Sequence, residues 1–173
     1  MSWNQELFKQ TLDFAARAHG DQKTKTGVPY VVHLVKVATE VLCAADGSFD
    51  VDFAMQCALL HDCMEDAGVS HQALAQAFGA RVADGVRALS KDDAVGRGNR
   101  MDDVLRRIRT QPREVWLVKL ADRITNLEPP PPQWDDAKVA EYREEAGRIY
   151  EALHGCHAGL AARLQQKIAA YGV

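Results

Sequence analysis

The sequence predicts an all-α fold, and three observations carry that expectation. Apolar residues recur at helical spacing along most of the chain, no stretch shows a convincing strand pattern, and glycines, prolines and capping residues cut the apolar pattern into helix-sized pieces. The 173 residues suit one domain, and 47% hydrophobic with 26% charged residues exclude a wholly disordered chain.

Leu7, Phe8, Leu12, Ala15 and Ala18 form one stripe, which predicts a helix over 4–18 with Gly20 as its stop. The next stretch, GDQKTKTGVP, has no periodicity and reads as a basic loop. Pro29 then opens a second helix through Val32, Val35, Val37, Val41 and Leu42. After the Asp46-Gly47 turn a third helix is expected over 51–66, followed by shorter ones at 71–78, capped by Ser70, and at 80–89. Residues 90–98 read as a flexible polar loop, 99–109 as a basic helix, and Pro112 suits the first turn of a helix running to Leu127. Pro129 to Pro132 form a stiff extended connector, after which helices at 136–153 and 156–170 pack back on the main body. The expectation is one domain over 1–173, with its main motifs in 19–127.

The charge balance, 21 basic against 24 acidic residues for a net −3, argues against broad nucleic-acid binding and directs attention to local basic pockets. The N-terminal residues offer no apolar run that suits a signal peptide or a membrane span, so a cytoplasmic protein without a membrane partner is expected. Homo-oligomerisation is compatible with the composition. Cys43, Cys57, Cys63 and Cys156 lack the paired short spacing of a zinc site, and three of them lie in strongly apolar helical segments, where a reduced thiol packs as a small hydrophobe; a structural role is expected.

The third helix, FAMQCALLHDCMEDAG, is apolar nearly all round, so His61, Asp62, Glu65 and Asp66 are a polar island on a buried element. Three carboxylates so close together in a poorly solvated core call for a cation or for protons. His33 in YVVHLVKVA and Asp122 in VWLVKLADRITNL sit in equally apolar helices. Taken singly, His33 reads as a core histidine bonded to backbone and Asp122 as a partner of Arg123 or Lys119. Taken with His61 and Asp62 they complete a four-ligand set that suits manganese, iron or zinc better than calcium, and such an ion can activate water for hydrolysis.

The segments AHGDQKTKTGVPYVVHLVKVA, ALLHDCMEDAG, FGARVADGVRALSKDD and VKLADRITNL resemble, in order and spacing, the HD-type hydrolase domain of the RelA/SpoT alarmone enzymes. The length and the tail are similar to those of the single-domain small alarmone hydrolases. The resemblance implies an all-α HD-domain helical bundle. It also implies that His33, His61, Asp62 and Asp122 hold one Mn²⁺ ion, and that Glu65 and Asp66 position and deprotonate the attacking water. Asn126 matches an asparagine near the nucleotide ribose. The implied reaction is removal of the 3′-pyrophosphate from guanosine tetra- or pentaphosphate, without synthetase activity, for which the length leaves no room.

So anionic a nucleotide needs cations and hydrogen-bond donors around the metal. Lys23 and Lys25 flank the basic loop, Arg97 and Arg100 occupy the polar loop and the following helix start, and Lys138 and Tyr142 lie four apart on one helix face. The spacing Trp134, Lys138, Tyr142 resembles a Trp, Arg, Tyr pattern of the family. Two departures stand out. Thr24-Lys25 replaces the usual Arg-Lys, removing an arginine that would stack on the base, and Leu34 replaces a proline after the histidine. Adenosine alarmones and NADPH thereby become alternative substrates, as does a guanine site completed by Lys23; a noncatalytic nucleotide sensor is the remaining alternative. His19 reads as a structural histidine at a helix end and His71, His154 and His157 as surface residues. Trp3 and Trp116 read as core or interface anchors, and Trp134 as the tryptophan near the pocket.

Overall fold

A computed structural model describes residues 3–92 and 94–172, and of Arg97 the backbone alone. Among the described residues the chain forms α1 (Gln5–His19), α2 (Tyr30–Cys43), α3 (Val51–Leu60), α4 (His71–Phe78), α5 (Ala80–Leu89), α6 (Arg100–Ile108), α7 (Arg113–Asn126), α8 (Asp136–Leu153) and α9 (Ala158–Ala170). Short 3₁₀ turns at Arg97–Asn99 and His154–Cys156 lead into α6 and α9. The all-α expectation holds.

Helix starts follow local side-chain chemistry. Asn4, Asp50, Ser70, Asp135 and His157 each accept a hydrogen bond from a backbone N–H three residues on, satisfying donors that the helix itself cannot. Pro29 and Pro112 stand immediately before α2 and α7, where a missing N–H costs nothing. Gly20 ends α1 at φ 50°, a conformation that glycine adopts without a Cβ penalty.

α3 is the central helix, buried from Phe53 to Leu60 and packed by α1, α2, α5 and α7. α7 lies against α2, α3, α8 and α9, so Leu117, Leu120 and Ile124 are fully enclosed. Each such side chain contributes roughly 1.5–3 kcal/mol of burial free energy. α8 and α9 do fold back on the body, through α7.

The third helix is shorter than its periodicity predicts. It ends at Leu60, and residues 61–66 continue as turns. Cys63 N–H bonds Leu60 O at 2.9 Å, an i→i−3 contact that tightens the chain, and Val69 N–H reaches back to Cys63 O at 3.0 Å. The basic loop is also more ordered than its lack of periodicity suggests. Lys23 and Pro29 form an isolated antiparallel bridge, Tyr30 N–H bonds Gln22 O at 2.9 Å, and Gly27 makes the bend at φ 83°.

All four cysteines are free thiols, but Cys43 is exposed, contrary to its reading as a packed residue, whereas Cys57, Cys63 and Cys156 are buried. Cys43 lies on the outward face of the last turn of α2. His154 is exposed, while His71 pairs with Asp84 at 2.8 Å and His157 is largely covered as the cap of α9.

Candidate active site

Three separate segments carry four polar side chains to one point. His33 comes from the first turns of α2, His61 and Asp62 from the tightened end of α3, and Asp122 from α7. The two imidazole Nε2 atoms are 3.3 Å apart. Asp62 Oδ2 lies 2.9 Å from His61 Nε2 and 3.8 Å from His33 Nε2, and Asp122 Oδ1 lies 3.6 and 3.5 Å from the same atoms. Bonds of about 2.1 Å to a first-row divalent ion put neighbouring ligand atoms roughly 3.0–3.4 Å apart, so this spacing fits one ion. The ligand atoms of His33, His61 and Asp62 all fall within 4.8 Å of one another, and Asp122 joins this group through its distances to the two imidazoles.

The surroundings prepare these groups for a cation. His61 Nδ1 donates to Ala58 O at 2.8 Å, so Nε2 is the ring nitrogen turned toward the cluster. Tyr30 donates its hydroxyl to Asp62 Oδ2 at 2.6 Å, and its ring stacks on His19. Lys119 donates to Asp122 Oδ2 at 3.0 Å and Asn126 to Asp122 Oδ1. Burial alone would raise the Asp62 carboxyl, yet His61 beside it holds it down at about 2. Asp122 is likewise held well below the usual carboxylate range, burial being outweighed by Lys119 and the two imidazoles. Burial would depress His61, but the adjoining carboxylates hold it well above an ordinary histidine. The cluster therefore attracts positive charge.

Glu65 and Asp66 reach the same cavity from its solvent side. Burial, then the negative charge of Asp62, raises the Asp66 carboxyl, and Glu65 adds to this. Glu65 is held by Lys91 through the main-chain N–H and Nζ, each at 2.9 Å. Tyr30 and Lys91 escaped sequence reasoning, whereas Lys119 pairs with Asp122 as one reading of that aspartate expected. Tyr30, three residues ahead of His33 and so facing the same way on α2, carried a usable signal; Lys91, in a polar loop, carried none.

The cavity measures about 480 Å³ and is lined by His33, Asp62, Glu65, Asp66, Asp122 and Asn126, among others. Of the residues chosen as phosphate contacts, Lys25 and Tyr142 line it. Lys23, Arg100 and Lys138 do not. Lys23 is exposed on the bridge to Pro29, Arg100 turns its Nε to Val95 O at 3.1 Å, and Lys138 pairs with Glu141 at 2.7 Å with its Nζ 6.0 Å from the Trp134 ring centroid. The Arg97 side chain lies outside the described residues. On the far wall Arg123, buried and paired with Glu145, lies 4.4 Å over the Tyr142 ring, and Lys25 sits 4.8 Å over Trp134. Trp134 is thus at the pocket, as expected.

The HD domain family matches residues 11–161. The chain is 33% identical over 170 residues to guanosine-3′,5′-bis(diphosphate) 3′-pyrophosphohydrolase MESH1 of Danio rerio, covering 95% of this chain and 93% of that one. It is 32% identical to the Homo sapiens MESH1, over 90% of this chain and 89% of the relative. A solved structure described as a metazoan ortholog of SpoT that hydrolyzes ppGpp and plays a role in starvation responses superposes with a TM-score of 0.85 at 25% identity, covering 99% of both chains. Motif order, helical architecture and relatives along nearly the full length agree, and the chain belongs to the HD-domain family, on its branch of small alarmone hydrolases.

Proposed function

We propose that this protein removes the 3′-pyrophosphate from guanosine tetra- and pentaphosphate, using Mn²⁺ held by His33, His61, Asp62 and Asp122, and that it does so in the cytoplasm as a single domain without synthetase activity. The observation that carries the reading is that two carboxylates, Asp62 and Asp122, each lie 2.9–3.8 Å from both of two imidazole nitrogens beside a cavity that also presents Glu65 and Asp66. The names of the relatives supply the substrate class. Among the described residues no helix is long and apolar enough to cross a membrane.

The bound cation would neutralise phosphate charge and acidify water. Asp66, raised by burial and by its neighbours, accepts the proton, and Glu65 orients the water. Water adds to the phosphorus on O3′, the P–O3′ bond breaks, and the proton taken by the carboxylate returns to the ribose oxygen. Lys25 and Tyr142 bind the nucleotide from the opposite wall, and Asn126, beside Asp122, faces the ribose. Lys23, Arg100 and Lys138 serve the outer phosphates through movement of their side chains toward the cavity, and Arg97 is the further candidate in the polar loop.

One observation favours a second substrate class. Thr24 lines the cavity and bonds Thr26 Oγ1 at 3.0 Å, so the planar cation expected to stack on a base is absent there, which favours adenosine alarmones as the second class. Incubating the protein and Mn²⁺ with guanosine and adenosine alarmones and NADPH tests both readings. Pyrophosphate release from the guanosine compounds is expected. Orthophosphate from NADPH alone would overturn the substrate, and binding without turnover would leave a nucleotide sensor.

A further inference from the structure

Glu65 uses both carboxylate oxygens on a single residue. Lys91 N–H donates to Oε2 and Lys91 Nζ to Oε1, each at 2.9 Å, and both residues line the cavity. The mount behind Lys91 is stiff. Ser90, its predecessor and the cap of α5, donates its hydroxyl to Val86 O at 2.9 Å. Arg107 of α6 donates to Ser90 O at 2.7 Å and to Ala88 O at 3.2 Å, and pairs with Asp103 at 2.8 Å. A three-carbon glutamate side chain on a turn would otherwise sample several rotamers. An exposed ion pair usually contributes little to stability, so a two-point grip on this carboxylate bears on its orientation.

We propose that Lys91 is a positioning residue for the reaction, fixing the Glu65 carboxylate in the orientation in which it faces the attacking water. The inference rests on the reading of Glu65 as a catalytic group. Lysine suits the task because its ammonium has three donors, of which the Glu65 contact takes one, so the grip survives small movements of the carboxylate. Loss of the ammonium leaves the main-chain donor in place and frees one oxygen, which slows the chemical step without removing substrate contacts.

The test is a double-mutant cycle with guanosine tetraphosphate and saturating Mn²⁺, comparing the wild type with Lys91→Ala, Lys91→Arg, Glu65→Gln and the Lys91→Ala/Glu65→Gln pair. Lys91→Ala is expected to lower kcat on the order of tenfold with KM within about twofold, Lys91→Arg to recover most of the loss, and Lys91→Ala to change kcat less than about twofold in the Glu65→Gln background. Thermal unfolding of each variant separates these effects from misfolding, and Lys91→Arg serves should Lys91→Ala fail to fold. A change confined to KM, or a loss that persists undiminished in Glu65→Gln, overturns the inference while leaving Glu65 catalytic. Full kcat in Glu65→Gln alone removes the role of Glu65 and the inference with it.

Discussion

Asp122 holds together the floor of the cavity, because one oxygen faces both imidazoles while the other is bound by Lys119. Asp122→Asn keeps the shape and removes the charge. It is expected to lower both bound Mn²⁺, measured by elemental analysis after gel filtration, and turnover by at least about 100-fold. Retained metal would refute the ligand assignment. Lys119→Met strips the buried carboxylate of its ion-pair partner and is expected to cost about 3 kcal/mol in urea unfolding with chelator present; no change would show that the imidazoles suffice. At this scale the sequence was most legible where polarity conflicts with surroundings. His33, His61, Asp62 and Asp122 stand out because apolar residues flank them, and the structure brings them to one point. Lys119, three residues from Asp122 on one helix, was readable as its partner, whereas Lys91 resembles any other lysine until the fold places Glu65 opposite. Lys23 and Lys138 were chosen for charge and spacing alone, and spacing does not say which way a long side chain turns.

Among the elements, α3 illustrates both what periodicity reveals and what it misses. Its all-round apolar character foretold its central place, but its last six expected residues form turns, because an i→i−3 bond leaves no trace in a hydrophobic pattern. Its start depends on Asp50, whose Oδ1 accepts from Phe53 N–H at 3.1 Å while Oδ2 meets Arg81 at 2.6 Å. Burial is the largest single influence and raises this carboxyl, but the cap and Arg81 together outweigh it and the net shift is downward. A carboxylate depressed in the folded state stabilises above its unfolded pKa and loses that contribution as pH falls through the folded value. Asp50→Ala is therefore expected to cost about 1 kcal/mol near neutrality, with the gap to wild type closing below about pH 4. A gap independent of pH would exclude the charged cap. In α5, a Cβ on Gly85 would lie 3.0 Å from Cys57 Sγ and 3.2 Å from a Val115 methyl, so Gly85→Ala is expected to destabilise by about 1–3 kcal/mol despite its better helix propensity. Equal or higher stability would show that α5 can slide outward. Nothing in the sequence distinguishes this glycine, since its reason lies on two other helices.

For the whole molecule, the ligand cluster joins α2, the end of α3 and α7, three elements that otherwise meet through apolar packing. A cation bound by the native state alone stabilises by about 2.7 kcal/mol at a hundredfold excess over its dissociation constant. For a chain of this size that corresponds to a rise in Tm of roughly 5–10 °C, reversed by chelator. Unchanged unfolding with and without Mn²⁺ would contradict a resident ion. The architecture was readable because apolar periodicity marked the helices and residues such as Gly20, Pro29, Ser70 and Pro112 marked several of their ends; the assembly of the site came from long-range packing, which local pattern does not encode.

Lys25 over Trp134 links the two banks of the cavity mouth, and the banks are unequal. One is built on Pro129 to Pro132, whose backbone torsions are locked, and the other bends at Gly27. An arriving polyanion that draws the ammonium away uncovers the indole, so Trp134 emission becomes an intrinsic optical gauge of occupancy. With Trp3 and Trp116 replaced by phenylalanine, ligand arrival and product departure can be timed by stopped flow without any attached dye.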